Sequence, residues 1–478
     1  MRNVLFFLLL VYTAFGQSDS TVVCLPCNQI IEDQAFSHLR DTWKKRPIKI
    51  VQLGDSHIQI GYFSSQFREL LNSIERLKGT GITFPYSLAK SVDGALYKSK
   101  ASGHWIGDNI LSTKPRLELG VTGYSVKTLD SSASILFQLK NPQLDFSEIK
   151  IWFNATDSLS YHPDLGSDFY WKETVKGESK LGYARFVRTN RTSTILLKLI
   201  KQDSLANEFQ FHGLEFVTSN SGVEYHSLGV VGAQFTHLIQ HTKLWKEQLK
   251  LLDPDLVIFS YGTNEAYNGN FDTNIYTKQV NRFFDELRSL MPSVAILVTS
   301  PPDTRSRNRI PQKQIEIIEA QSILKSSFYD LNKVMGGFGS FQPWFEKNLF
   351  LKDKLHLNKE GYQLQAKLFM IPFLNQLKST VDLSDLKSEM ETIVKSINRR
   401  AVSKDSIVKD SIVKDSVVSV AIVLKKKVVQ KEVYHLVKKG DTFYSLAARY
   451  HVKVNSLIEK NRRVKSTAIQ LGDRIRIK

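Results

Sequence analysis

The run Ile48-Lys49-Ile50-Val51-Gln52-Leu53 stops at Gly54-Asp55-Ser56-His57 and gives way to a helical period near Phe63 to Ile74. A buried apolar run that ends in a polar turn and continues as a helix is the strand–helix unit of a parallel sheet. The unit recurs. Ser227–Val231 precedes a helix from about Gln234 to Leu249, Asp255–Ser260 one near Thr273 to Leu290, and Val294–Thr299 one near Lys313 to Leu324. A short strand at Phe328–Leu331 follows. A last helix starts near Asn358, where Asn is a good N-cap and Glu360 falls in the first turn. This alternation predicts an α/β chain with a doubly wound parallel sheet and helices on both faces.

Two stretches depart from the rhythm. Between about Lys90 and Gly222 there is no long helical period. Short β-like runs occur instead, at 135–140, 148–154, 183–188, 193–198 and 208–217, which predicts an inserted all-β sandwich or barrel. Beyond Leu377 the five-residue unit Lys404-Asp405-Ser406-Ile407-Val408 recurs at 409–413 and nearly again at 414–418. A period of five keeps no helix or strand face apolar, so the stretch reads as a solvated linker. The last residues read as strand, helix, helix, strand. The expected layout is a signal peptide at 1–16, a first half-domain at 30–95, the insert at 96–222, the second half at 223–378, a linker at 379–432 and a small domain at 433–478.

The chain carries a formal charge of +18, and the excess is concentrated at its end: from Val433 onward there are 11 Lys+Arg against 3 Asp+Glu. Such a segment suits nucleic acid, anionic lipid or an anionic wall polymer, and compartment chooses among them. Met1-Arg2-Asn3, the apolar run Val4–Tyr12 and the small residues Ala14 and Gly16 read as a Sec-type signal peptide cleaved after Gly16. The apolar run is too short to span a bilayer, and no later stretch reaches the roughly 18 apolar residues that a spanning helix needs. The expectation is an exported protein, periplasmic or extracellular and associated with the cell wall, with no nucleic-acid partner. Cys24 and Cys27 are the two cysteines; in an oxidising compartment they can close a small local disulfide, and two cysteines alone make no zinc site.

Four separated pieces fit one catalytic logic. Ser56 lies at the carboxyl end of the first strand, where open α/β sheets bind ligands. A serine hydroxyl becomes a useful nucleophile when a base takes its proton. His356, in Asp353-Lys354-Leu355-His356, is the candidate base, and Asp353 the group that orients it. The developing oxyanion needs preplaced donors: Ser56 N–H, Gly232 N–H and the Asn264 side-chain amide. Each piece alone is commonplace. What carries the reading is that all of them fall at strand ends or adjoining loops, in the order a doubly wound sheet brings together. No metal or organic cofactor is required. In the insert, His104, Trp105, Trp152, Tyr170 and Trp171 are candidates for stacking on sugar, against the commoner fate of an aromatic in a β-sandwich core.

Gly54-Asp55-Ser56, Gly232, Gly262-x-Asn264 and Asp353-x-x-His356 resemble, block by block, the SGNH (GDSL-type) hydrolase superfamily. The resemblance covers roughly 47–95 and 222–377 and implies a flavodoxin-like three-layer fold. His57 stands where the name-giving motif has Leu. With the β insert and the export signal, this looks like the peptidoglycan O-acetylesterase branch, in which the insert is similar to a carbohydrate-binding module. That branch implies removal of O-acetyl groups from C6 of N-acetylmuramic acid.

Tyr434-His435-Leu436-Val437-Lys438-Lys439-Gly440-Asp441-Thr442-Phe443-Tyr444-Ser445-Leu446-Ala447 and Leu471-Gly472-Asp473-Arg474-Ile475 resemble a LysM domain. That family binds N-acetylglucosamine-containing glycans in a groove between two loops. Here the groove implies Gly440, Asp441, Thr442, Phe443 and the stretch Ala468, Ile469, Gln470, with Phe443 and Leu446 expected in the core instead. The function expected is an exported serine esterase that deacetylates wall glycan and is tethered by LysM. Deacetylation of or transfer to another polysaccharide, and a non-catalytic wall-binding protein, remain open as alternatives.

Overall fold

The computed structural model describes residues 23–395, with short breaks at 32–33, 76, 141–145, 156–160, 179, 202–207, 219–221, 241–242, 268 and 306–308. Of the C-terminal stretch it describes 434–437, 443, 446–447, 450, 452, 457, 461 and 473–476. The first of two units carries a six-stranded sheet. In spatial order its strands are Ile30–Ile31, Ser327–Tyr329, Ala295–Thr299, Leu256–Ser260, Lys49–Gly54 and Glu224–Gly229. All pairings are parallel except that of Ile30–Ile31 at one edge. Taking the five parallel strands in chain order, the spatial order is 2-1-3-4-5, the flavodoxin-like arrangement of a doubly wound sheet. The order reverses between Lys49–Gly54 and Leu256–Ser260, and the expected chemistry sits at that switch point.

The helices follow from their sequence pattern. Thr273–Leu290 is capped by the Asp272 side chain, which accepts from Ile275 N at 2.9 Å. It buries Tyr276, Val280, Phe283, Phe284 and Leu287, one stripe at helical spacing. Lys359–Gln376 is capped by Asn358, which accepts from Gly361 N at 2.9 Å, and is buried over most of its circumference. Of the run expected as a helix from about Gln234 to Leu249, Phe235–Gln240 and Lys243–Leu252 are helical.

Between Gly79 and Val217 the chain builds two antiparallel sheets. One has seven strands, in the order Phe169–Lys176, Leu181–Arg188, Glu148–Asn154, Phe209–Val217, Tyr124–Thr128 and Ile106–Asn109, with Gly79–Thr83 also on Phe209–Val217. The other has four: Tyr97–Ser102, Ser134–Leu139, Thr194–Lys201 and Tyr161–Asp164. The sheets therefore begin with Gly79–Thr83, ahead of the boundary at 96 expected from sequence. One apolar cluster runs from Val51, Leu53, Val257 and Phe259 of the parallel sheet to Ile151, Trp152 and Phe211 of the insert. Parallel sheet and insert thus share a core. The opposite face of the parallel sheet packs on Lys359–Gln376 in a second cluster.

The stretch expected as linker from 379 is helical over 384–395. Leu383, Met390 and Val394 are buried in the second cluster, with Leu386 and Ile393 packed against it. Their spacing is helical, which the repeat further along the chain obscured. The second unit, described by itself, has Tyr434–Leu436 paired antiparallel to Arg474–Arg476 and a core of Val437, Phe443, Leu446, Ala447, Leu457 and Ile475. Asn461 ties its parts together: its amide donates to Leu457 O and Arg476 O, and its oxygen accepts from Arg476 N. Cys24 and Cys27 are disulfide-bonded. No helix among the described residues is long and apolar enough to cross a membrane. The signal-peptide residues 1–16, and Gly440, Asp441, Thr442, Ala468, Ile469 and Gln470, lie outside the described residues.

Candidate active site

The strand Lys49–Gly54 ends in Asp55, which caps the four-residue helix Ser56–Gln59 by accepting from His57 N at 2.9 Å. A Cβ on Gly54 would lie 2.4 Å from Ile58 Cγ1 and 2.8 Å from Ser260 O, so only glycine lets the turn fold this tightly beside the next strand. Ser56 opens the helix and is half-buried.

Three hundred residues later the chain returns to it. His356 Nε2 lies 2.8 Å from Ser56 Oγ, and His356 Nδ1 lies 2.8 Å from Asp353 Oδ2. The loop carrying both is held shut by the Phe350–Leu357 bridge and a bond from Leu351 N to His356 O at 2.8 Å, with Lys354 in the left-handed region at φ 61°. Asp353 Oδ1 accepts from Leu355 N and His356 N at 2.9 and 3.0 Å. Partial burial opposes ionisation of Asp353, but its bonds with the His356 ring and with these two amides hold its carboxyl below the usual range. The chain of contacts can draw the proton from Ser56 Oγ and stabilise the imidazolium that results.

The candidate oxyanion residues Gly232 and Asn264 follow the two strands that flank Lys49–Gly54, at the carboxyl end of the sheet where Ser56 lies. Among the described residues, neither Ser56 N–H nor Gly232 N–H donates to a protein acceptor. Gly232 adopts φ 81°, and a Cβ there would meet only Leu111 Cδ1 at 3.6 Å. Its turn is fixed by Val231 N donating to Gln59 Oε1 at 2.9 Å, a link from the nucleophile helix that the sequence reading missed. The Asn264 amide is committed in part: Nδ2 donates to Ala233 O at 2.9 Å and lies 3.4 Å from Asp55 Oδ2.

Beneath these donors lie two buried acids. Burial pushes Asp55 up to about 8; nearby Glu265 adds to this, and bonds from His57 N and Thr263 work against it. Burial likewise pushes Glu265 up to about 7, against bonds that include one from Phe235 N at 2.7 Å. Both acids hold their protons more tightly than ordinary carboxyls, which lessens the negative charge beside the place where an oxyanion would form. His57 is buried and held down to about 3 by desolvation and the neighbouring His356, so it is neutral. Its Nδ1 lies 2.9 Å from the Tyr362 hydroxyl, another partner that the sequence reading missed.

The aromatic candidates of the insert divide. Trp152 is core. Trp105 is half-buried, its Nε1 donating to Ser102 O. His104, Tyr170 and Trp171 are exposed. Phe443 and Leu446 are buried in the core of the C-terminal unit. Among the described residues one group could present ligands to a metal: Glu215, Glu224 and His226. His226 Nδ1 accepts from Ile82 N, so its Nε2 carries the proton toward Glu224, while Lys78 and Lys150 pair with the two acids. This is an ion-pair network, with its imidazole donating where a metal ligand would have to accept.

Residues 204–364 match the GDSL-like Lipase/Acylhydrolase family, and residues 435–478 match the LysM domain. A multidomain esterase of Ruminococcus flavefaciens is 21% identical over 183 residues, which cover 37% of this chain and 24% of that protein. The chain thus spans about a quarter of that relative's length. A solved peptidoglycan O-acetylesterase has the same fold, with a TM-score of 0.54 and 18% identity over 72% of this chain and 96% of that one. Ser56 lies ahead of the matched stretch, and the parallel sheet brings it to Asn264 and His356 within that stretch. The chain therefore combines a stretch similar to the GDSL-like Lipase/Acylhydrolase family, on a fold shared with a solved esterase, with a C-terminal stretch that matches the LysM domain.

Proposed function

We propose that this protein is an exported serine esterase that removes O-acetyl groups from cell-wall glycan. The observation that carries the chemistry is the unbroken contact chain Ser56 Oγ–His356 Nε2 and His356 Nδ1–Asp353 Oδ2, each at 2.8 Å, at the switch point of the sheet. Ser56 Oγ attacks the acetyl carbonyl carbon while His356 Nε2 takes its proton. The tetrahedral oxyanion is met by Ser56 N–H, Gly232 N–H and Asn264 Nδ2, the last turning one hydrogen from Asp55 toward it. Collapse breaks the bond to the sugar oxygen, which leaves with the proton from His356. Water, deprotonated by His356, then attacks the acetyl-serine and releases acetate. These steps draw on no metal or organic cofactor.

The choice of glycan rests on two supports: the LysM domain, and the fold shared with a peptidoglycan O-acetylesterase. The substrate favoured is peptidoglycan, acetylated at C6 of N-acetylmuramic acid. LysM, through Gly440, Asp441, Thr442, Ala468, Ile469 and Gln470, holds the catalytic unit at its polymer. The test is acetate release from O-acetylated peptidoglycan. Wild type should release acetate, and Ser56→Ala should release none while still sedimenting with the polymer. Activity confined to a small acetyl ester would keep the esterase and reject this polymer.

A further inference from the structure

His57 directly follows the nucleophile, and Leu357 directly follows the base. Tyr362, in the first turn of the helix Lys359–Gln376, reaches His57. Its hydroxyl lies 2.9 Å from His57 Nδ1. A phenol has one proton to give. The hydroxyl gives it to His57 Nδ1 in one tautomer and accepts from Nδ1–H in the other, and both join the two side chains. Both side chains are buried, His57 8% exposed and Tyr362 1%. The His57 ring also sits 5.2 Å, centroid to centroid, from the His356 ring.

Resting on the serine-esterase reading, we propose that His57 and Tyr362 form a positioning clamp that fixes the His356 loop against the nucleophile helix and so sets the Ser56–His356 contact. The clamp runs from Ser56 through His57 to Tyr362 and back along the chain to His356, and closes a ring whose remaining side is the catalytic hydrogen bond itself. The chain itself holds Ser56 to His57 and Tyr362 to His356, and hydrogen bonds close the other two sides. The leucine of the name-giving motif at position 57 would accept nothing and would leave the buried Tyr362 hydroxyl without its partner. The charged and titratable groups facing His57 are His356, Asp353 and Tyr362, with Asp55 beside Tyr362. A neutral imidazole here adds no positive charge beside His356 when attack protonates it.

The clamp is distinguishable from ordinary core packing. Tyr362→Phe, His57→Leu, His57→Gln and the double variant His57→Leu/Tyr362→Phe are compared in the full chain by melting temperature. They are also compared by kcat and KM on p-nitrophenyl acetate, and by the rate at which phenylmethanesulfonyl fluoride sulfonylates Ser56, read by mass spectrometry. Misplacement of the base by a fraction of an ångström should lower kcat and the sulfonylation rate about tenfold or more in Tyr362→Phe and His57→Leu, with KM nearly unchanged. His57→Gln keeps an acceptor and should recover part of the loss. The double variant removes both buried polar partners and should regain melting temperature while staying slow. Wild-type kcat in Tyr362→Phe, glutamine no better than leucine, or a double variant that recovers rate along with stability would each overturn the clamp. A wild type whose Ser56 resists sulfonylation would overturn the serine reading itself.

Discussion

In the proposed mechanism, the reactivity of Ser56 depends on which nitrogen of His356 is free to take a proton. Asp353 decides that by accepting at Nδ1 and leaving Nε2 toward Ser56 Oγ. Asp353→Asn keeps the shape but offers a donor, so the wrong tautomer is favoured; kcat should fall about 10⁴-fold with little change in KM. Steady-state kinetics on a small acetyl ester checks this, and a loss under tenfold would contradict the role given to Asp353. Asp55 and Glu265 make a second prediction. Both bind protons more tightly in the folded chain, near 8 and 7, than their ordinary carboxyl range near 4. Between about pH 4 and pH 8 the folded state holds protons that the unfolded state has released, so stability falls as pH rises through that window. Asp55→Asn removes one of the two titrations and should flatten the fall, measured as urea midpoints across the window; an unchanged slope would refute this. The residues legible in the sequence were those with a chemical signature at a strand end. Gln59, Tyr362 and the acid pair were not legible, because their roles depend on which groups the fold buries together.

At the scale of elements, the strand ends were readable because buried parallel strands are near-continuous apolar runs. Thr273–Leu290 appears where its periodicity puts it, and Asn358 caps as its type predicts. The insert was harder. Tyr97–Ser102 is mostly exposed Lys and Ser, and Phe169–Lys176 is an edge strand with few buried side chains, so neither presents the alternation that marks a half-buried strand. The helix over 384–395 went unseen for a related reason: its apolar stripe is thin and adjoins a repetitive segment. Met390, 1% exposed, is its firmest anchor. Met390→Ala should destabilise the first unit by about 2–5 kcal/mol, read from urea unfolding. A loss below about 0.5 kcal/mol, the range of surface changes, would show that the helix contributes no packing.

At the scale of the whole molecule, the insert shares a continuous core with the parallel sheet, whereas the LysM domain has a small core of its own. The C-terminal domain was legible from its own strand–helix–helix–strand pattern and motif residues, while the extent of the insert shows only in the packing. In the proposed function this division also separates chemistry from retention. A chain ending at Asp410 should keep kcat on a small acetyl ester and lose most of its sedimentation with insoluble peptidoglycan, since tethering raises local concentration without touching the reacting atoms. Equal loss of both would contradict that separation. The central claim is that Ser56, activated by His356, performs the ester chemistry. Its most direct test is the turnover of p-nitrophenyl acetate by wild type and by Ser56→Ala. The account predicts turnover by wild type and a loss of about 10⁴-fold or more in the variant, and Ser56→Ala hydrolysing the ester at a rate near that of wild type would contradict it.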